Sequence, residues 1–367
     1  MKVVVTGGYG FIGKNLCLRL EDEENVEVIR IGREVSLNQL INVLSSADFI
    51  YHFAGVNRPK DALEFENVNV GFLETILNSL KEQNRSVPVV LTSSIHATAD
   101  TPYGKSKLAA EELLLAYGKE VDAPVYIYRL PNVFGKWCRP NYNSVVATFC
   151  HNIANDLPIT IHDESAEIEL VYVDDVCDEF ITLLKHPQES GFKNISCSYE
   201  TTVGNLALML NQFKKSRDSL VIANVGVGLE RALYATYLSY LAPDNFAYSI
   251  PSYDDERGVF CEMLKTLEAG QFSFFTAQPN VTRGGHYHHT KNEKFLVVSG
   301  KAKFRFQHVL SGEMYELVTS HESFQVVETV PGWTHDVTNV GEEELVVMLW
   351  ANEVFDREHP DTISRVI

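Results

Sequence analysis

Three glycines, at positions 7, 10 and 13, follow the apolar run Val3-Val4-Val5 and lead directly into a helical pattern from Ile12 to Glu21. No other feature limits the possible folds so tightly. A strand that ends in a G-x-x-G-x-x-G turn lets the backbone approach a pyrophosphate, whose charge then rests on the open N–H groups of the helix N-terminus. The start of the chain is therefore expected to form the strand–turn–helix unit of a dinucleotide-binding sheet. Gly7, Gly10, Phe11, Ile12 and Gly13 are the candidate contacts.

The same rhythm continues to about residue 240. Short apolar runs (Val26–Ile29, Phe49–Phe53, Val87–Leu91, Val125–Tyr128) alternate with helical stretches such as Phe72–Gln83 and Tyr103–Tyr117. Strands without polar alternation, separated by helices, indicate a parallel sheet covered on both faces, a Rossmann-like doubly wound α/β domain. After Phe246 the pattern becomes β-rich, with runs at Gln271–Ala277, Glu293–Val298, Ala302–His308, Gln325–Glu328 and Leu345–Leu349. Turn residues join them, so an all-β sandwich or barrel is expected. The boundary is placed in Ala242–Asn245, giving domains at 1–243 and 244–367.

Charge narrows the function. With 31 Lys and Arg against 49 Asp and Glu among 367 residues, the formal net charge is −18, which repels phosphate polyanions at long range. No nucleic acid and no membrane is expected as a partner, and no apolar run approaches the ~18–20 residues of a membrane span. The first residues, Met1-Lys2-Val3-Val4-Val5-Thr6-Gly7, are broken by glycines too early for a signal peptide. Six cysteines without a C-x-x-C pair read as reduced thiols in a cytoplasmic protein.

The second strand bears on cofactor choice. Its end carries Arg30 and Arg33, with Glu34 beyond them. A site selective for NAD usually places an acid there for the ribose 2′-hydroxyl, whereas a guanidinium suits a 2′-phosphate, so NADPH is expected with Arg33 as a contact.

Ser93 and Ser94 follow a strand, and Tyr103 and Lys107 stand one helical turn apart, so both can face one pocket. A phenol with a reference pKa near ~10 needs a nearby cation to shuttle protons at neutral pH, and Lys107 is placed to supply it. Ser94 would hydrogen-bond the substrate oxygen, with Ser93 as the alternative.

These pieces, together with His52-Phe53-Ala54-Gly55, Arg129-Leu130-Pro131-Asn132-Val133-Phe134-Gly135 and Tyr172-Val173-Asp174-Asp175-Val176, resemble the extended short-chain dehydrogenase/reductase family. The resemblance implies NAD(P) bound with help from Ala54, Tyr103 and Lys107. It further implies catalysis by Ser94, Tyr103 and Lys107, with Asn132 near a sugar nucleotide. Only eight residues separate Ser94 from Tyr103, fewer than is usual in that family, which implies a more open pocket. The sugar-nucleotide dehydratases of the family carry an acidic pair after the serine; here stand Ile95 and His96, so reduction of a ketone fits better than loss of water. His96 reads as a loop residue.

A second constellation lies in the β-rich part. His286 and His288 alternate along a strand and share a face, Glu293 comes from the next strand, and Pro331-Gly332-Trp333-Thr334-His335 adds a third imidazole. Three imidazoles and a carboxylate suit Zn, Fe, Mn or Ni. The spacing His-x-His-x4-Glu-x6-Gly, then Gly-x-x-His-x3-Asn, resembles the cupin superfamily and implies a jelly-roll barrel with His286, His288, Glu293 and His335 on a divalent metal, zinc foremost. Asp254-Asp255-Glu256-Arg257-Gly258 and Arg283-Gly284-Gly285-His286-Tyr287 also resemble metal-free sugar 3,5-epimerases, in which the matching histidine is a base; His286 thus has two candidate roles. Tyr287, His289 and Lys291 are further candidates for an epimerase base.

Taken over its full length, the chain resembles the fused reductase–cupin enzymes of capsular polysaccharide synthesis in the UDP-N-acetyl-L-fucosamine pathway. That implies a UDP-linked 4-keto-6-deoxy-HexNAc substrate, a UDP-2-acetamido-2,6-dideoxy-4-hexulose. C3 epimerisation in the cupin would precede NADPH-dependent reduction at C4, giving UDP-2-acetamido-2,6-dideoxy-L-talose. A homodimer is expected by the same resemblance. The rival reading is a reductase whose cupin is a structural, dimerising metal module.

Overall fold

The computed structural model describes residues 1–57, 61, 64–250, 252–255, 258–261, 264–266, 270–353 and 358–367; the side chains of 252–255, 258–261, 265–266, 271 and 273 are outside the description. The motif at Asp254–Gly258 and the Cys261 thiol therefore lie outside it. The chain divides into two compact units, residues 1–134 with 168–200, and residues 135–167 with 201–367.

The first unit is built on a six-stranded parallel sheet. In spatial order its strands are Glu27–Ile31, Lys2–Thr6, Phe49–His52, Val89–Ser94, Val125–Leu130 and Gly191–Lys193. The strand order reverses between the first strand and Phe49–His52, which is where a doubly wound sheet opens its ligand crevice. Val3, Val4, Val5, Ile50, Val89 and Ile127 are sealed from solvent, as both-face burial requires of such strands. Helices Phe11–Glu21, Leu37–Leu44, Phe72–Glu82, Pro102–Val121 and Val173–Lys185 complete the unit. The apolar runs read from the sequence all became strands here. Helix Leu37–Leu44 was not foreseen; its start is fixed by a capping box in which Ser36 and Gln39 satisfy each other's backbone N–H groups.

The second unit holds two five-stranded antiparallel sheets. One is ordered Ala247–Ser249, Gln325–Glu328, Glu293–Ser299, Leu345–Ala351, Gln271–Ala277. The other is ordered Met314–Ser320, Lys301–His308, Trp333–Asn339, Thr282–Tyr287, Ile363–Ser364. Together they form the jelly-roll architecture of a cupin. Phe295, Phe304, Phe306 and Val347 are buried. Helices Val145–Ala154, Val203–Ser219 and Gly228–Leu238 belong to this same unit. Arg217 on the second of these helices and Lys294 on a barrel strand both pair with the buried carboxylate of Glu328.

No helix among the described residues is long and apolar enough to cross a membrane. Cys17, Cys138, Cys150, Cys177 and Cys197 are free thiols.

Candidate active site and metal centre

The glycine turn in the first unit is built as its spacing requires. Gly7 has φ +65°, and a side chain there would meet the Ala54 nitrogen at 2.8 Å. A methyl at Gly13 would collide with the Gly7 carbonyl oxygen, so the helix could not seat on the turn. No side chain caps helix Phe11–Glu21, which leaves the N–H groups of its first turn for an anion. At the end of the second strand Arg30 pairs with Glu21 at 2.7 Å. Arg33 is exposed and makes no ion pair among the described residues.

Tyr103 and Lys107 are positioned by a helix with a strong start. Thr101 accepts from the Gly104 N–H at 3.0 Å, and Pro102 occupies the first turn. Ser94 ends its strand, accepts from the His96 N–H at 3.2 Å, and acts on the Tyr103 phenol to hold its pKa down in part. Ser93 is committed elsewhere: it donates to Glu111, which also takes Nε and Nη2 of Arg129 at 2.9 and 2.6 Å. Of the two serines, Ser94 is therefore the one that meets the phenol. His96 is exposed in the turn Ile95–Thr98.

Lys107 is half-buried and donates to the Thr92 carbonyl at 3.0 Å. Burial, offset in part by Glu111, brings its pKa down to about 8. The phenol departs from the expectation of depression by Lys107. Burial raises the Tyr103 pKa, and only the Ser94 hydroxyl opposes that. The Lys107 ammonium stands 5.9 Å from the ring centre, too far to dominate. A protonated phenol is the form that can donate to an alkoxide.

Three supporting residues were not singled out from the sequence. Asn69 is buried and holds both backbone groups of Val56, accepting at 2.8 Å and donating at 3.1 Å, while its amide also donates to Ser106 at 2.9 Å. His52, whose Nδ1 meets Thr6 Oγ1 at 2.9 Å, is pushed down to about 3 by burial and by Lys107, and so stays neutral. Glu111 continues the Tyr103, Lys107 stripe by one more turn, a spacing that the sequence does show. Asn132 is exposed, its amide donating to the Glu169 carbonyl at 3.1 Å.

In the barrel, His286, His288, Glu293 and His335 bring one donor atom each to within 4.8 Å of one another. His286 and His335 are register partners on adjacent strands, with ring centres 4.7 Å apart. Glu293 comes from the other sheet. The strand carrying His286 ends at Tyr287 and contains an irregularity between Gly284 and His286. Simple strand alternation therefore does not bring His288 in; it lies just past the strand end.

The donor set fits a cation. Neither ring nitrogen of the buried His335 has a hydrogen-bond partner. Glu293 Oε1 is taken by Lys291 at 3.0 Å, while Oε2 faces His288 Nε2 at 3.3 Å and His335 Nε2 at 3.5 Å. Burial would raise the Glu293 carboxyl, but His288 and His335 hold it well below its usual range. Burial and the neighbouring imidazoles push His286 down to about 3, leaving it neutral with a free lone pair. An ionised carboxylate beside imidazole nitrogens is the set a divalent metal requires.

Comparison with known proteins covers the two sites with separate family models. The NAD dependent epimerase/dehydratase family matches residues 3–196, and the Polysaccharide biosynthesis C-terminal domain matches residues 253–363. The chain is 54% identical over 365 residues to a UDP-2-acetamido-2,6-beta-L-arabino-hexul-4-ose reductase of Pseudomonas aeruginosa, covering 99% of this chain and 98% of that one. It is similar to the crystal structure of the capsular polysaccharide assembling protein CapF from Staphylococcus aureus, with a TM-score of 0.69, 42% identity and full coverage of both chains. Human dTDP-D-glucose 4,6-dehydratase is 25% identical over 265 residues, covering 59% of this chain and 75% of that protein.

Proposed function

The chain belongs to the NAD dependent epimerase/dehydratase family, and within it to the CapF type that carries a polysaccharide biosynthesis C-terminal domain; from that premise we propose a bifunctional nucleotide-sugar enzyme. Residues 244–367 epimerise C3 of a UDP-2-acetamido-2,6-dideoxy-4-hexulose, and residues 1–243 then reduce the C4 ketone. The product is UDP-2-acetamido-2,6-dideoxy-L-talose. The observation that carries this reading is the coexistence of two unlike sites in one chain: the Ser94, Tyr103, Lys107 group and the His286, His288, Glu293, His335 cluster.

Chemistry fixes the order. A proton on C3 is acidic only while C4 is a ketone, because the developing enolate is then stabilised. Once C4 is an alcohol that acidity is gone, so inversion comes first.

Gly7, Gly10, Phe11, Ile12, Gly13, Arg33, Ala54, Tyr103 and Lys107 would hold NADPH, whose chemistry when bound would be a hydride for C4. His286, His288, Glu293 and His335 would hold zinc, which would supply Lewis acidity. The remaining work belongs to the chain. Ser94 orients the C4 oxygen, Tyr103 donates the proton to the new alkoxide, Lys107 keeps the local field positive, and Asn132 contacts the sugar nucleotide. We read the protein as a cytoplasmic homodimer with neither nucleic acid nor membrane as partner.

The test is solvent exchange. With substrate in deuterated water and without NADPH, deuterium should enter C3. Zinc removal, or the double variant His286→Ala, His288→Ala, should abolish that exchange. Exchange and turnover that survive complete metal removal would instead make the barrel a structural module.

A further inference from the structure

Residues far from the cluster in sequence hold it in shape. Resting on the metal reading above, we propose that Asp361 is the positioning residue of the barrel centre. Its carboxylate fixes the loop His289–Lys291, and its backbone carbonyl fixes His288 with the proton on Nδ1, so that Nε2 is the ligand atom.

The geometry is over-determined. Asp361 Oδ1 accepts from the His289 N–H at 2.8 Å. Its Oδ2 accepts from the Thr290 N–H at 2.7 Å, the Thr290 hydroxyl at 3.0 Å and the Lys291 N–H at 2.7 Å. Three successive backbone N–H groups aimed at one carboxylate form an anion-binding concavity, here filled by the protein itself. The Asp361 carbonyl lies 2.5 Å from His288 Nδ1. A carbonyl can only accept, so Nδ1 carries a proton and donates it, which leaves Nε2, 3.3 Å from Glu293 Oε2, as the ring atom that faces the other donors of the cluster.

Strand pairing sets this contact in place. Tyr287 pairs with Ile363 and His286 with Ser364, and the Arg365 N–H donates to the Gly285 carbonyl at 2.8 Å. The same loop ends in Lys291, whose ammonium takes one oxygen of Glu293. Asp361 therefore governs one ligand directly and a second through Lys291. A partner that sets the tautomer and orientation of a metal-bound imidazole commonly contributes 10–100-fold in affinity, on the order expected here.

The experiment uses the full-length chain, stripped of metal and titrated with zinc against a chromogenic chelator. Cobalt(II) absorption serves as a probe of coordination geometry, and NADPH binding as a check of folding. The wild type should bind one equivalent of zinc. Asp361→Ala should bind it about 10–100-fold more weakly, with an altered cobalt spectrum and NADPH binding unchanged. Asp361→Asn, which keeps one acceptor oxygen, should fall between the two. Should Asp361→Ala fail to fold, Asp361→Asn and Thr290→Val decide, each expected to weaken zinc measurably. Wild-type affinity and an unaltered cobalt spectrum in the variants would overturn the role of Asp361 while leaving the metal reading intact. A wild type that binds no zinc would overturn the metal reading and this inference with it.

Discussion

The Tyr103 phenol interacts with the Ser94 hydroxyl, the one group that opposes the rise in the phenol's pKa caused by burial. Burial keeps the phenol in its protonated form, beside the hydroxyl that would also receive the substrate oxygen. A substrate oxygen inserted between the two would be oriented by one and protonated by the other.

Tyr103→Phe removes the proton donor and keeps the ring. Reduction should fall by about 10²–10⁴-fold in kcat, the usual weight of a positioned general acid. Deuterium entry at C3 in the absence of NADPH should persist, since that chemistry is assigned to the barrel. Undiminished turnover in this variant would remove Tyr103 from the mechanism.

Lys107 gives a pH signature. Its folded pKa of about 8 lies below the ordinary 10.5 because burial disfavours the ammonium more than Glu111 supports it. The folded chain thus binds this proton less tightly than the unfolded one. The ammonium costs stability below about pH 8, and that cost lifts as pH climbs towards 10.5. Lys107→Met should therefore melt higher than the wild type at pH 7, by an amount up to about 3 kcal/mol, and show little advantage by pH 10.5. Calorimetry at the two pH values measures it. Reduction by the wild type should decline as pH rises through about 8, when the positive charge is lost.

Arg33 tests the choice of dinucleotide. Arg30 is engaged by Glu21, whereas Arg33 is exposed without an ion pair among the described residues. If Arg33 meets the 2′-phosphate, Arg33→Ala should raise KM for NADPH by roughly tenfold, the equivalent of about 1.4 kcal/mol, and leave KM for NADH unchanged. Steady-state kinetics with both cofactors decides it, and a wild type that prefers NADH would exclude this role.

What the sequence showed and what it hid have separate physical origins. Local rules carried the glycine turn, the Tyr103–Lys107 stripe and the apolar strands, because each depends on neighbours within a turn or a strand pair. Long-range partners were invisible. Asp361 meets the His289–Lys291 loop across some 70 residues, and no spacing rule links them. His288 was found for the wrong reason: strand alternation was invoked, while the strand stops at Tyr287 and the residue is carried in by the loop that follows. The direction of the Tyr103 shift was also missed, since motif spacing carries no information about desolvation. Asn69 sits in an irregular helical run, Phe65–Gly71, whose hydrogen-bonding role has no periodic signature.

Glu328 provides a test of what joins the helices of the second unit to its barrel. Burial would raise its carboxyl, yet Arg217 and Lys294 hold it below the usual range, so it is ionised and shared between two cations. Lys294 also donates to the Tyr248 hydroxyl at 3.2 Å. Glu328→Ala would leave the buried Lys294 ammonium without its carboxylate, and breaking such a pair commonly costs about 3–5 kcal/mol. All three tryptophans, Trp137, Trp333 and Trp350, belong to the second unit, so indole fluorescence during denaturation follows that unit selectively. The variant should unfold at clearly lower denaturant concentration by this probe. The wild-type contribution is present above the ordinary glutamate range and is lost as pH falls through the depressed folded value, so the gap between the two proteins should narrow in acid. Coincident fluorescence transitions for the variant and wild type at neutral pH would show that the ion triad adds no stability.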